Sequence, residues 1–190
     1  MPERSVQEII ADGGSPFPNL HPWRRYFARS FDLYLFFIVF FFFLGVTFPR
    51  LFENTGRVSE SLFGIFGTAA YALFDGFWTN IFGNSPGKRL YGIRLVRTNG
   101  GGLDLGTSLR RSFTVYLKGL GLGIPLVSLI TLIVAYNTLT SNGQTSWDRD
   151  LQCTVVHSEL SALRWTLIVV IWVLLIAVYT GLVALGRAAT

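Results

Sequence analysis

The sequence has little charge and few of the residues that bind metals or form disulfides. Only 14% of its 190 residues are charged, whereas a typical soluble domain carries about 25%. A single cysteine, Cys153, excludes an intrachain disulfide and a cysteine-based metal cluster. The two histidines, His21 and His157, have no carboxylate or cysteine at ligand spacing. There is also no Ser/His/Asp elbow or zincin helix, so we predict neither an enzyme nor a metal or other cofactor.

Apolar side chains are what the sequence has in abundance. They make up 51% of the chain, and 17 residues are phenylalanine. This composition excludes a disordered chain, and it argues against a soluble nucleic-acid-binding protein despite the net charge of +5. The length corresponds to about one domain. The composition therefore predicts a membrane protein whose first partner is the lipid bilayer.

Four charge-poor segments are long enough to cross a hydrocarbon core of about 30 Å, which needs roughly 20 helical residues. They lack the alternating pattern of a β-barrel strand, so the sequence predicts an all-α helical membrane protein. These segments are Ser30–Phe48, Ser61–Gly83, Gly119–Leu139 and Trp165–Gly186.

The distribution of basic residues orients the first two segments. Three arginines precede the first segment, which predicts an uncleaved anchor with a cytoplasmic N-terminus in a prokaryotic inner membrane. The loop 49–60 balances arginine against glutamate and is expected outside. The loop 84–112 carries many bases against Asp104 alone, so it is expected in the cytoplasm.

The third segment allows two arrangements. The region Thr107–Leu139 is too long for one span, and the run Gly119–Pro125 inside it is rich in glycine and proline, which are poor helix formers. Either an interfacial helix, Thr107–Lys118, leads into one span, or two half-helices form a re-entrant hairpin with both ends cytoplasmic. The following segment, Ser141–Leu163, has one strong base, Arg149, and does not decide between them.

Two short segments resemble strands. Tyr91–Arg97 alternates apolar and basic residues before a glycine-rich turn, and Gln152–His157 is rich in β-branched residues. They can pair into a small cytoplasmic β ribbon if the hairpin forms, but not if there are four simple spans. The predicted fold thus has about three to four transmembrane helices, a Gly/Pro-broken re-entrant hairpin and this ribbon.

One helix face carries the first candidate charges. At about 100° per residue, Arg25, Arg29 and Asp32 fall on the same side of a helix. The arginines can reach the cytoplasmic interface, while the shorter aspartate is drawn inside. The functional interpretation is a site for an ion or polar ligand, with the arginines as charge partners. The alternative is a structural ion pair that fixes the end of the helix.

Asp75 is the second carboxylate expected inside the membrane. It lies about two turns from the cytoplasmic end of its segment, at a depth comparable to that of Asp32. Two carboxylates at similar depth can bind a cation or a proton. The alternative is that Asp75 pairs with Arg29, Lys118 or the indole of Trp78.

The basic pair Lys88 and Arg89 follows a glycine and could suggest a phosphate loop. The stretch lacks the first glycine and the Ser/Thr of that motif, so nucleotide binding is not expected. We therefore expect these bases to contact anionic lipid headgroups, and the alternative is a turn without a binding role.

A dense charge cluster lies at Trp147–Asp150. Its carboxylates, Asp148 and Asp150, flank Arg149 and could bind a cation or proton. The alternative is a solvated turn.

Three ordered motifs between Trp23 and Val156 resemble the RDD family of bacterial and archaeal membrane proteins, named for one arginine and two aspartates. In the first motif Arg25 or Arg29 matches the arginine, and Asp32 matches the first aspartate. In the third motif Asp148 or Asp150 matches the second aspartate. The matching stretches are Arg25–Asp32 with Ala28 between, Ser85–Val96, and Trp147–Val156.

The resemblance implies a membrane domain over 23–156; the expected cytoplasmic segment 1–22 and transmembrane helix 164–187 lie outside it. It also implies a cytoplasmic aspartate loop, and hence the hairpin. Transport of an unidentified ligand is suspected in the family, with sodium/proton exchange in some members. We therefore expect an antiporter-like transporter of Na⁺, Li⁺ or H⁺, acting as a homo-oligomer or in a larger complex. The alternative is a non-catalytic scaffold or accessory subunit.

Overall fold

The structure is a computed structural model that describes residues 20–48, 50, 60–98 and 102–188. The predicted N-terminal segment 1–22, the loop 49–60 and the glycine-rich turn 99–102 lie wholly or largely outside the described residues. The elements are α1 (Pro22–Thr47), α2 (Glu60–Phe82), α3 (Pro86–Leu90), β1 (Ile93–Arg97), α4 (Leu105–Lys118), α5 (Pro125–Asn142), α6 (Ser146–Asp150), β2 (Cys153–His157) and α7 (Ala162–Ala188).

Two helices of the described chain are long and apolar enough to cross a membrane. They are Pro22–Thr47, with a mean hydropathy of 2.1, and Ala162–Ala184, with a mean hydropathy of 2.8. Only 11% and 6% of their most apolar windows are buried inside the protein, so these apolar faces do not form the core of a soluble domain. The mostly helical fold with a small sheet confirms the predicted class.

Helices α1 and α7 lie side by side and run in the same direction. The ring of Trp172 lies 6.0 Å from that of Phe31 and 5.7 Å from that of Tyr34. One turn further along α1 and two turns along α7, Tyr34 meets Tyr179 at 6.4 Å. The indole of Trp172 also donates to the hydroxyl of Tyr91 at 2.8 Å, which connects this helix pair to the segment before β1.

Helix α4 runs antiparallel along α2. At one end Asn80 donates to the carbonyl of Leu103 at 3.2 Å, and further along the Tyr116 hydroxyl donates to the carbonyl of Ile65 at 3.2 Å. The stretch from Asn80 back to Ile65 covers about 22 Å of helix. Helix α4 therefore lies along most of the length of α2.

The predicted helix break separates α4 from α5. Gly121–Gly123 forms one 3₁₀ turn, in which Gly121 and Gly123 have φ values of 55° and 76°. A Cβ atom on Gly123 would lie 2.4 Å from the carbonyl oxygen of Gly64, so glycine is required both for the turn and for its contact with α2. Pro125 then begins α5, where its missing N–H costs nothing.

The described chain contains an internal structural repeat with a spacing of 60 residues. In each copy a long helix ends at a glycine of positive φ, Gly83 at 71° and Gly143 at 73°. A five-residue helix, a second residue of positive φ and a five-residue strand follow in both copies. The two copies are therefore α2–α3–β1 and α5–α6–β2.

The strands of the two copies pair with each other. Strands β1 and β2 form an antiparallel two-stranded sheet in which Leu95 is opposite Val155. The predicted ribbon is thus confirmed. Because each strand closes one copy, this sheet brings the two short helices to the same end of the protein.

Candidate functional site

Asp32 accepts two short hydrogen bonds from the segment at α3. The Ser85 hydroxyl donates to Oδ2 and the Gly87 backbone N–H donates to Oδ1, both at 2.6 Å. A Cβ on Gly87 would lie 2.2 Å from the carbonyl oxygen of Ala28 and 2.8 Å from the Asp32 carboxylate. Glycine at 87 therefore lets the backbone reach the carboxylate.

Asp75 is buried in α2, with 2% of its surface exposed. The Lys88 ammonium lies 3.3 Å from its Oδ1 atom, and the Ser112 hydroxyl donates to Oδ2 at 2.7 Å. Ser112 is on α4, so this carboxylate joins three elements. The sequence offered Arg29, Lys118 and Trp78 as partners. Among these, Arg29 lies close enough to interact electrostatically with Asp75, but the ion pair is with Lys88.

The prediction that Lys88 contacts lipid headgroups is wrong. Its side chain is buried, and burial lowers the pKa of Lys88 while the neighbouring Asp75 opposes that shift. The lysine points inward because α3 packs against α1 and the Lys88 side chain reaches Asp75 on α2. Arg89 differs, since it is exposed and donates to the carbonyl of Phe82.

Asp148 is the most completely bonded carboxylate among the described residues. Arg111 donates to its Oδ1 atom from Nε at 3.0 Å and from Nη2 at 2.8 Å. Its Oδ2 atom accepts from Thr145 at 2.8 Å and from Arg25 at 3.3 Å. Burial opposes ionisation, but the two arginines and these hydrogen bonds hold the pKa of Asp148 below its usual value.

These contacts distinguish the two aspartates that the third motif offers, because only Asp148 joins the buried network. Asp148 is 2% exposed and lies in the network, whereas half of the Asp150 side chain is exposed. Asp150 lies 3.7 Å from Lys118 and 4.0 Å from Arg149, the distances of weak surface pairs.

The expected pairing of Arg25 with Asp32 is a second correction. The shared helix face places the two side chains two turns apart, about 10 Å along the axis. Arg25 lies nearer the end of α1 that meets the ribbon, so it binds Asp148 instead. The buried Asp32 is held by Ser85 and Gly87.

His157 extends the cluster around Asp148. Its Nε2 atom accepts from Nε of Arg25 at 3.4 Å, and its ring packs edge-on against His21. Burial, then the charges of Arg25 and Arg24 and the proximity of His21, lower the pKa of His157 to about 3. The imidazole is therefore neutral at physiological pH.

The three aspartates belong to one continuous polar network. Ser85, which caps α3, and Lys88 on α3 connect Asp32 to Asp75, since the Lys88 N–H donates to the Ser85 hydroxyl. The adjacent residues Ser112 and Arg111 on α4 then connect Asp75 to Asp148.

A cavity of about 500 Å³ lies between α1 and α2 beside this network. Asp32 and Asp75 belong to its lining together with Ser85, and the rest of the wall is largely aromatic and aliphatic. Within the described part of the chain, no three His, Cys, Asp or Glu side chains are grouped to hold a metal ion. The arrangement instead provides carboxylates, hydroxyls and one lysine next to an apolar space.

The sequence interpretation missed Ser85, Ser112, Arg111 and Thr145. The 60-residue repeat could have found two of them. Gly83–Arg89 and Gly143–Arg149 share the pattern Gly, Asn/Gln, Ser/Thr, two residues, a charged residue, Arg. Equivalent positions in this pattern hold Ser85 and Thr145, and also Lys88 and Asp148.

Apolar helices of membrane-spanning length around a buried Arg–Asp network define an integral membrane protein. The model of the RDD family matches residues 20–151, which is more than half of the chain. The chain therefore belongs to the RDD family. Comparison with curated proteins gives no match, and comparison with solved structures gives none either.

The Asp148→Asn variant should be strongly destabilised. The amide keeps the shape of the side chain, but it leaves Arg111 and Arg25 without a counter-charge in a buried place, which costs about 3–5 kcal/mol. The melting temperature of this variant in detergent should fall by roughly 10 °C. The matched Asp150→Asn variant removes an exposed carboxylate and should cost under about 1 kcal/mol. Equal melting temperatures for the two variants would contradict the buried, charge-balancing role of Asp148.

The titration of His157 should make the protein less stable in mild acid. Its folded-state pKa of about 3 lies below the ordinary value of 6.5, so its contribution is complete above pH 6.5 and is lost as the pH falls towards 3. His157→Gln keeps an acceptor for Arg25 but cannot titrate. The melting temperature of this variant should change less with pH between about pH 6.5 and 4.5 than that of the wild type. An unchanged slope in His157→Gln would refute the role.

Proposed function

We propose that this RDD-family protein is a small antiporter-like transporter of monovalent cations and protons in a prokaryotic inner membrane. The observation that carries the proposal is the buried ion pair of Asp75 and Lys88, with Asp32 bound to the same short helix. Intramembrane ionisable groups of this kind are costly to bury and are typical of ion and proton pathways.

Lys88 supplies the internal cation that exchange requires. With no ion bound, its ammonium neutralises Asp75. When a Na⁺ or Li⁺ ion binds the Asp75 carboxylate, it replaces the ammonium as counter-charge, and Lys88 releases its proton so that no unpaired charge stays buried. Since the carboxylate holds either the metal ion or the protonated lysine, binding of the ion releases the proton, and protonation of Lys88 releases the ion.

The lysine is suited to this exchange by its surroundings. Burial lowers the pKa of Lys88, which weakens its hold on its proton relative to an exposed lysine. The Ser85 and Ser112 hydroxyls beside the carboxylates provide further oxygen atoms for a hard cation. Asp32 and Asp75 also border the neighbouring cavity, whose wall is largely apolar.

The ribbon and the paired helices support the re-entrant topology. Strand pairing requires the segments around β1 and β2 to lie on one side of the membrane. Helices α1 and α7 contact each other in the same direction, so both start on one side. In our proposal α1, α2 and α7 span the membrane, α4 and α5 form the hairpin, and the N-terminus is cytoplasmic.

A scaffold or accessory subunit is the second candidate. It is favoured by the completeness of the network, because each of the three buried aspartates has hydrogen-bond donors within the described chain. Exposed Phe42 and Phe43 on α1 provide an apolar surface for lipid or for another subunit. The same surface supports the homo-oligomer that a transporter of this size requires.

Labelling of single cysteines should place both ends of the hairpin on the cytoplasmic side. With the buried Cys153 replaced by serine, we expect Gly102→Cys and Asn142→Cys to react with an impermeant maleimide only in inside-out vesicles. Ala188→Cys should react only in right-side-out vesicles. An Asn142→Cys protein that reacts from the outside would contradict the hairpin and restore four simple spans.

Purified protein in liposomes should move protons when a Na⁺ or Li⁺ gradient is imposed, and Asp75→Asn should abolish this movement. The amide keeps the shape and the hydrogen bond from Ser112 but cannot exchange a charge. The Asp150→Asn variant, which loses an exposed carboxylate, should remain active. Size-exclusion chromatography of each variant checks that assembly is preserved. Wild-type protein without cation-dependent flux would refute transport and favour the scaffold.

A further inference from the structure

A second group of charges lies outside the buried network, at the end of the protein where α1 and α7 begin. Arg24 is in the first turn of α1 and Arg164 is in the first turn of α7. Arg89, at the end of α3, is the third member. These three residues are called the arginine cluster below.

The guanidinium groups of Arg24 and Arg164 lie around the turn that follows α3, whereas that of the exposed Arg89 donates to the carbonyl of Phe82 at the end of α2. Arg164 donates from Nε to the carbonyl of Leu90 at 3.0 Å and from Nη2 to the carbonyl of Arg89. Arg24 donates to the carbonyl of Tyr91, and to that of Ser158 at 2.8 Å. Backbone carbonyls therefore fix the guanidinium groups but provide only partial negative charge.

The positive charge of the cluster is not neutralised by the described chain. Arg24 and Arg164 are close enough to repel each other. Among the described residues, no carboxylate forms an ion pair with Arg24, Arg89 or Arg164. The Nε atom of Arg24 is itself buried and has no acceptor among them. Guanidinium groups whose charge no carboxylate balances attract an anion.

The surroundings of the cluster identify the kind of anion. Trp23 and Trp165 are the immediate neighbours of Arg24 and Arg164, and both indoles are largely exposed. Tryptophan at the ends of apolar helices lies at the level of the lipid headgroups. The anion present at that level is the phosphate of a phospholipid, and basic pockets between transmembrane helices bind such headgroups.

We propose that Arg24, Arg89 and Arg164 bind the headgroup phosphate of an anionic phospholipid in the cytoplasmic leaflet. Arg24 and Arg164 hold the phosphate oxygens between the first turns of α1 and α7, and the exposed Arg89 adds charge at the rim. The acyl chains extend along the apolar outer faces of these helices. The bound lipid would thereby connect the two helices to the turn between α3 and β1. This site does not depend on ion transport.

Native mass spectrometry of the full chain, titrated with phosphatidylglycerol or phosphatidylcholine, tests the site. Wild-type protein should bind phosphatidylglycerol more tightly than phosphatidylcholine. Arg24→Gln and Arg164→Gln should each weaken binding of the anionic lipid about fivefold. The control is Arg110→Gln, which removes an exposed arginine elsewhere and should bind as the wild type does.

One more variant and a competition experiment distinguish a lipid site from a site for free anions. Arg89 is exposed, so Arg89→Gln should fold normally and still weaken phosphatidylglycerol binding, even if the other variants unfold. Inorganic phosphate at millimolar concentration should not compete with the lipid. Competition by phosphate would overturn the lipid assignment in favour of a free-anion site. Equal binding of the two lipids by wild-type protein, or an equal loss in Arg110→Gln, would overturn the site altogether.

Discussion

Positions 88 and 148 are equivalent in the two copies of the repeat, and they carry opposite charges that are both buried. Lys88 reaches Asp75 on α2, and Asp148 reaches Arg111 on α4. A charge left unpaired in such a place costs several kcal/mol, so each of these residues requires its partner from another helix. Because Ser112 and Arg111 are adjacent on α4, the two pairs fix that helix from both copies at once.

This constraint explains why the glycines of the structure are where they are. The network requires backbone and helices to approach closely, at Gly87 against Ala28 and at Gly123 against Gly64. Any Cβ at these positions would push apart the elements that hold the charges. The small residues and the buried charges are therefore parts of one packing arrangement, with the β ribbon closing it at the end where the short helices lie.

Much of the fold follows from the sequence, because the signals involved are local. Charge-poor runs predict helices, Gly119–Pro125 predicts a break, and β-branched residues predict the ribbon. Identification of Asp32 and of the third motif also needed only local patterns. The partners of the charges could not be obtained in this way. Helical spacing places Arg25 on the face of Asp32, but only the packing of α6 against α4 brings Arg25 to Asp148.

The same limit applies to Lys88. A basic pair after a glycine is typical of a surface turn, and nothing in the local pattern distinguishes the buried lysine from the exposed Arg89. The difference arises from the direction of a five-residue helix relative to α2. The repeat itself was visible in the sequence at a spacing of 60 residues. It shows that Lys88 and Asp148 occupy equivalent positions in the two copies.

The buried charges of Asp75 and Lys88 are coupled in this structure, and a double-mutant cycle at the two positions measures the coupling most directly. Asp75→Asn, Lys88→Met and the double variant would be unfolded in the same detergent. If the two side chains form a buried pair, each single variant leaves one charge unpaired. The free energy of unfolding that the double variant loses should then be smaller than the sum of the two single losses by about 1–3 kcal/mol. Losses that add within about 0.5 kcal/mol would show that the two charges are not coupled.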